Sequence, residues 1–353
     1  MRITQPMLTA NTLRYSQASY ERLSTLQEQL STQKKISRFS QNPVIAVKSM
    51  QYRESQALNT QYKRNINEAH NWLDQSDTSL RETTNVLNRV RELAVKASTG
   101  TYGPDERKSV AQETEELRNH LMTIANTSTA GKYIFNGTNT SKAPITTYTA
   151  EQLVEQDLTD VKLSFRGEIY DYIEENGQFE SRNDGSVLRF EDGQFFNEAG
   201  DKVDQDEMLI QTRTFDQNGV ELELQQGVYV KVNAEAHRLF SDELFNDLFA
   251  FEQALLNPDV TEEELGKYID KIDTHLRAAA DVNGQLGARM NRVDLIEDRL
   301  EQQDFLLKKI KSQNEDVDFE ETVMKLLVAE GIHSAALAAS ARVIQPSLLD
   351  FLR

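Results

Sequence analysis

Residues 265–310, LGKYIDKIDTHLRAAADVNGQLGARMNRVDLIEDRLEQQDFLLKKI, decide how this chain is built. Read in alternating steps of three and four, they give Leu265, Tyr268, Ile272, His275, Ala279, Val282, Leu286, Arg289, Val293, Ile296, Leu300, Gln303, Leu307 and Ile310. Eleven of these fourteen are apolar or aromatic, and every seventh residue from Leu265 to Leu307 is apolar without exception. A 3.5-residue period sustained over more than six heptads predicts a coiled-coil seam. Thr261 and Glu264 stand at capping-box spacing before it. From there to Gln313 the helix would extend about 75 Å at roughly 1.5 Å per residue.

A matching seam lies in the amino-terminal half: Ile66, Ala69, Leu73, Ser76, Leu80, Thr83, Leu87, Val90, Ala94 and Ala97. Ser76 and Thr83 weaken it, and the stronger carboxy-terminal helix is its expected partner. A third segment repeats the spacing through Val110, Thr114, Leu117, Leu121 and Ile124. Tyr102-Gly103-Pro104 breaks the chain before it, because proline is tolerated in a helix's first turn but not in its interior. So short a break predicts antiparallel neighbours.

The outermost arms form a separate pair. Residues 7–36 carry Leu13, Tyr20, Leu23, Leu26 and Leu30, and residues 319–345 carry Phe319, Val323, Leu326, Leu337, Val343 and Ile344. The last eight residues add Leu348, Leu349, Phe351 and Leu352. Neither stripe can be buried alone, so the arms are expected to order fully only against neighbouring subunits.

Between the helical blocks, residues 144–233 hold seven of the fifteen glycines. Four stand in turn dipeptides, Asn176-Gly177, Asp184-Gly185, Asp192-Gly193 and Asn218-Gly219, which are strong hairpin signals. Strand-like runs lie among them at Ser186–Phe190, Gln194–Phe196, Met208–Phe215 and Val220–Val232. The block carries 20 Asp/Glu against 7 Lys/Arg, most of the chain's net charge of −18, which predicts a solvent-facing domain. The expected fold class is therefore mainly α: a long coiled-coil-like bundle built from both chain ends, with an inserted antiparallel β-rich domain. Its parts are 1–43 with 316–353 as terminal arms, 44–143 with 236–315 as the heptad bundle, including a short hairpin near 132–138, and 144–235 as the β insertion.

Composition narrows the function. A net charge of −18 disfavours nucleic acid and anionic membrane surfaces. With no cysteine there is no disulfide, thiolate ligand or cysteine nucleophile. No run reaches the roughly 18 apolar residues of a membrane span, so no membrane insertion is expected. The opening Met1-Arg2-Ile3-Thr4-Gln5-Pro6 lacks a signal peptide's apolar stretch. The histidines at 70, 120, 237, 275 and 333 form no short ligand motif, and 144–233 contains none. Asp201, Asp204, Asp206 and Glu207 lack the glycine of a calcium loop and read as a solvated acidic turn. No catalytic, cofactor or metal site is expected, and the chain is not expected to be an enzyme.

Arg89-Val90-Arg91-Glu92-Leu93-Ala94-Val95-Lys96-Ala97-Ser98-Thr99-Gly100 closely resembles the hallmark segment of bacterial flagellins and their hook-associated relatives. Leu286-Gly287-Ala288-Arg289-Met290-Asn291-Arg292 is similar to the family's carboxy-terminal counterpart. Asn42-Pro43-Val44-Ile45-Ala46, Gly131-Lys132-Tyr133-Ile134-Phe135-Asn136-Gly137 and the ending Ser347-Leu348-Leu349-Asp350-Phe351-Leu352 resemble the family's hook–filament junction branch, with Asn42 where that branch has aspartate. The resemblance implies a structural, self-assembling flagellar subunit, exported without a cleaved signal peptide and located outside the cell. Its implied partners are hook-associated protein 1, flagellin, copies of itself in a ring, and an export chaperone. Arg89, Arg91, Glu92, Leu93, Arg289, Asn291 and Arg292 are candidate subunit contacts, although from the residues alone Arg89, Arg91 and Glu92 equally suit a solvated helix face. Two alternatives stand beside the junction reading: a short filament flagellin, and a fibre-borne enzyme or adhesin acting through 144–235.

Overall fold

The computed structural model describes residues 5–344 except Thr101, Glu155 and Asp192; the side chains of Gln5, Pro6, Leu8, Asp206 and 342–344 also lie outside the description. The chain divides into two compact units, residues 1–61 with 298–353 and residues 62–297. The expected border near residue 43 coincides instead with a break between two helices, α1 (Gln5–Thr32) and α2 (Pro43–Ala97).

The seam in α2 is continuous. All ten of its positions from Ile66 to Ala97 are buried, Ser76 and Thr83 included. These two hydroxyls donate to the carbonyls of Trp72 and Ser79 one turn back, both at 2.8 Å, so neither carries an unsatisfied polar group into the core. α3 (Pro104–Ala125) begins with its proline in the first turn and Gly103 at the N-cap, as the break predicted. It runs antiparallel to α2: Arg89 Nε donates to Glu113 at 2.7 Å and His120 pairs with Glu82 at 3.0 Å.

After α3 comes a hairpin, β1 (Ser128–Thr129) and β2 (Lys132–Tyr133). Its turn is Ala130-Gly131, both at positive φ, which places it earlier than the expected 132–138. The following Ile134, Phe135 and Asn136 are buried instead. Asn136 Oδ1 accepts the Asp216 backbone N–H at 3.0 Å, and a Cβ on Gly137 would lie 2.3 Å from the Asp216 carbonyl oxygen, so this glycine is required by backbone approach.

The insertion is an eight-stranded antiparallel sheet with strand order β3-β10-β4-β5-β6-β7-β8-β9. Its strands are β3 (Ile145–Thr147), β4 (Val161–Phe165), β5 (Glu168–Ile173), β6 (Gln178–Ser181), β7 (Val187–Glu191), β8 (Gln194–Phe196), β9 (Lys202–Val203) and β10 (Met208–Arg213), with a single helical turn, α4 (Ala150–Leu153), after β3. Its core is aromatic and aliphatic, with Phe179 and Phe195 fully buried beside Leu163, Leu188 and Ile210. Incoming and outgoing strands β3 and β10 are neighbours, and Thr214 N–H donates to the Pro144 carbonyl at 3.0 Å where they leave the sheet. Asn126 at the end of α3 closes the other side, exchanging two hydrogen bonds with the Ile145 backbone.

The last strand-like run departs from expectation. Val220–Val232 forms a separate two-stranded sheet, β11 (Glu221–Gln225) and β12 (Val228–Lys231), tied to α2 through Asn65 Nδ2 and the Glu223 carbonyl at 2.7 Å. Its tight turn lies at Gln226-Gly227, with Gly227 at φ 73°, and not at Asn218-Gly219, which precedes the first strand. Three of the four turn dipeptides do stand between paired strands.

A short turn, α5 (Ala236–Leu239), leads to α6 (Asp242–Leu256), capped by Ser241. α6 packs on α3, where Arg118 lies over the Phe249 ring and forms a buried pair with Glu252 at 3.3 Å. α7 (Glu262–Glu315) follows the capping box, since Thr261 N–H donates to Glu264 Oε2 at 3.0 Å and Glu264 N–H to Thr261 Oγ1 at 3.4 Å. Nine of its fourteen seam positions, including every seventh from Leu265 to Leu300, are buried. α7 is antiparallel to α2: Arg91 bonds Asp273 at 2.5 Å and His70 pairs with Glu297 at 2.9 Å. Gly284 and Gly287 interrupt neither helix nor packing, and a Cβ on either would meet nothing within 4 Å.

The final helix, α8 (Phe319–Ile344), corrects another expectation. Phe319–Ala341 contains an 18-residue stretch apolar enough to cross a membrane by length and composition alone. The excess comes from Leu326, Leu327, Val328 and the alanines of Ala335–Ala341, which add to the stripe rather than alternate with polar residues.

Candidate functional site

α1 and α8 pair antiparallel. Ser19 Oγ lies 2.8 Å from His333 Nδ1, the Tyr20 ring lies tilted against the same imidazole with 5.9 Å between ring centres, and Lys34 bridges backbone to Asp316 at the other end. Leu26 and Ala329 are buried between them. Elsewhere the two helices cover little. Leu23, Leu30, Val323 and Leu326 are half-buried, while Leu13, Tyr20, Phe319 and Leu337 are exposed. The side chain of Ile344, and Leu348, Leu349, Phe351 and Leu352, lie outside the described residues.

Sequence reading missed the larger part of this surface. Met324, Leu327, Val328 and Ile332 are 53–63% exposed on α8, outside the stripe assigned to it. The usable signal was the helix's apolar character all round, because such a helix must be covered by something. An open cavity of about 530 Å³ runs between the helices, lined by Ala18, Arg22, Leu26, Met324, Val328 and Ile332. A contiguous exposed apolar surface of this kind marks an interaction site.

The base of the pair is fixed by charge. Glu315 is buried and accepts two bonds from Arg53, at 3.1 and 2.9 Å, and one from Lys34 at 3.3 Å. Burial penalises its ionised form, but the Arg53 and Lys34 contacts outweigh that and hold the carboxyl below its ordinary range. Lys35 N–H donates to the Glu315 carbonyl at 2.7 Å, so the turn after α1 and the end of α7 are joined by backbone as well.

The segment marked by family resemblance is engaged within the chain. Arg89 bonds Glu113 and Glu92, and Arg91 grips Asp273 through two nitrogens. Leu93 is buried and belongs to the core. Arg289 donates to the Asn233 carbonyl at 2.7 Å and to Glu235 at 3.3 Å, anchoring the chain after β12. Asn291, Arg292 and Glu92 are the outward-facing members of the set.

Two further places bear on chemistry. A cleft between the β4–β5 turn and α6 is lined by Arg166, Glu207, Gln253, Asn257 and Tyr268, with no histidine, serine or threonine. The histidines are less isolated than their spacing implied: α2 and α7 bring His70, Asp294 and Glu297 together, with all three ligand atoms within 4.8 Å of one another.

Helices from both chain ends, an inserted sheet and a terminal pair with an exposed apolar face define a double-ended helical protein with a β insertion. The chain belongs to the bacterial flagellin family: the flagellin N-terminal helical region matches residues 3–140 and the C-terminal helical region matches 269–352. Among individual proteins it is similar to flagellar hook-associated protein 3 of Escherichia coli (34% identity over 118 residues, 33% of this chain and 37% of that protein) and of Salmonella typhimurium (30% over 145 residues, 41% and 46%). The matched stretches thus span less than half the length of these relatives. Polar flagellin E of Vibrio parahaemolyticus is 35% identical over 81 residues, 23% of this chain and 22% of its own. The fold is shared with a flagellar hook-associated protein from Vibrio parahaemolyticus (TM-score 0.57, 14% identity, covering 78% of this chain and all of that one) and with Bacillus cereus FlgL (TM-score 0.50, 19% identity, 74% and 99%). It is a structural protein of the flagellum.

Proposed function

We propose that this protein is a junction subunit of the flagellum, forming a ring between hook-associated protein 1 and the flagellin filament. The observation that carries this reading is the exposed apolar face of α8, which the described residues leave without a cover. Copies of the chain in the ring would supply that cover, while the rest of the terminal pair meets hook-associated protein 1 on one side and flagellin on the other. The acidic sheet would face outward, where like charges on neighbouring copies are screened by solvent. Before assembly an export chaperone would shield α8 on the way through the flagellar secretion apparatus to the cell exterior. The family-marked Asn291 and Arg292 remain available for contacts between subunits.

The matches to hook-associated protein 3 cover 37% and 46% of those proteins, against 22% of polar flagellin E and 33% of polar flagellin C of Vibrio parahaemolyticus, which favours a junction over a filament role. Deleting the gene tests this directly: cells should keep hooks, lose filaments and shed flagellin into the medium. Purified protein that grew long filaments from flagellar seeds would instead establish it as a filament flagellin.

A further inference from the structure

We propose that His70, Asp294 and Glu297 form a zinc-type divalent metal site that clips α2 to α7. His70 Nε2 lies 2.9 Å from Glu297 Oε2 and 3.9 Å from Asp294 Oδ1. A tetrahedral zinc with bonds of about 2.0–2.2 Å holds its ligand atoms roughly 3.3 Å apart, between these two separations. Asp294 and Glu297 are three residues apart on α7 and therefore share a face, while the imidazole comes from the facing helix. All three ligands sit on long helices, so the set is held by rigid backbone.

The charge of the cluster separates a metal site from an ordinary interhelical ion pair. An ion pair needs one carboxylate on the imidazole; here two converge on the same nitrogen. Among the described residues, no lysine or arginine forms an ion pair with either carboxylate. Even a protonated imidazole leaves the cluster with net negative charge, which a divalent cation would neutralise. One imidazole and two carboxylates suit zinc, whereas magnesium and calcium take oxygen ligands in six- to eight-coordinate shells. Asp294 is largely exposed, giving the ion access and leaving the remaining coordination positions to water.

Such a clip would join residues 227 apart in the chain, so occupancy would stabilise the folded state by binding it in preference to the unfolded one. The test uses the full-length, untagged chain stripped with chelator and titrated with zinc chloride by calorimetry, with thermal unfolding recorded alongside. One equivalent should bind and raise Tm. His70→Ala and the near-isosteric Glu297→Gln should each weaken binding at least about tenfold. His120→Ala, which removes a comparable imidazole facing a single carboxylate, should bind as the parent does. Circular dichroism of each variant establishes that the helices persist. No binding to the parent, unchanged binding in His70→Ala, or displacement of zinc by magnesium would each overturn the proposal.

Discussion

The α2–α7 seam and the α1–α8 pair are built from helices of the same general kind, yet they solve burial in opposite ways. In the first, each apolar position from Ile66 to Ala97 meets a partner inside the same chain. In the second, Leu327 and Val328 stand 62% and 63% exposed on a helix more apolar than any seam helix. Folding energy is thus concentrated where the chain is self-sufficient, and the apolar surface left over is concentrated at the ends. The difference separates residues that keep the subunit folded from those to which the proposed function assigns its assembly.

The sharpest way to break that contrast is to truncate one leucine on each side. Leu87→Ala should cost about 2–5 kcal/mol in chemical denaturation, because a fully buried side chain leaves a cavity. Leu327→Ala should change monomer stability by no more than about 0.5 kcal/mol. In assembly onto hooks the ranking should invert, with Leu327→Asp abolishing incorporation while the subunit remains helical. Equal loss of stability from both truncations would erase the distinction drawn between the two regions.

A smaller effect comes from acid. Asp247 on α6 is half-buried, which alone would raise its pKa, but bonds from His275 at 2.9 Å and Lys271 at 2.7 Å hold it below the ordinary value. A carboxyl depressed on folding contributes stability above its unfolded value of about 3.9 and loses it as pH falls towards the folded one. Asp247→Asn should therefore flatten the stability–pH profile below about pH 4 while leaving the terminal pair's behaviour unchanged. The smallest effect is expected of Ser76→Ala. Its hydroxyl is satisfied within its own helix, so removing it should shift stability by less than about 1 kcal/mol although the side chain is wholly buried.

The seam was legible in the sequence because a 3.5 period is a property of order along the chain, and Leu265 to Leu300 display it without help from tertiary context. The capping box at Thr261 and the proline start of α3 were legible for the same local reason. Asn218-Gly219 misled because a turn dipeptide reports tolerance for positive φ without saying that strands flank it; Gln226-Gly227, with the less distinctive partner, made the hairpin. Of the assembly surface, Leu13, Tyr20, Phe319 and Leu337 followed from the stripe, whereas Met324 and Ile332 emerge only when the facing helix is seen to leave them bare. The convergence of His70 with Asp294 and Glu297 depends on the register between α2 and α7, which no spacing along a single strand of sequence encodes.

The bond from Thr214 to Pro144 has a bearing on how such proteins diversify. Because the sheet leaves and returns through adjacent, hydrogen-bonded strands, it is mounted on the helices like a cassette on a fixed socket. Doubling the length of what is plugged in costs only about 0.6 kcal/mol of additional closure entropy. Beyond those ends, the socket touches the cassette through α6, where Asn246 donates to the Gly167 carbonyl and Asp242 pairs with Arg182 and Arg213. The inserted module can therefore be enlarged, trimmed or exchanged for a different surface chemistry while the helical chassis, and the bare face of α8, are passed on unaltered.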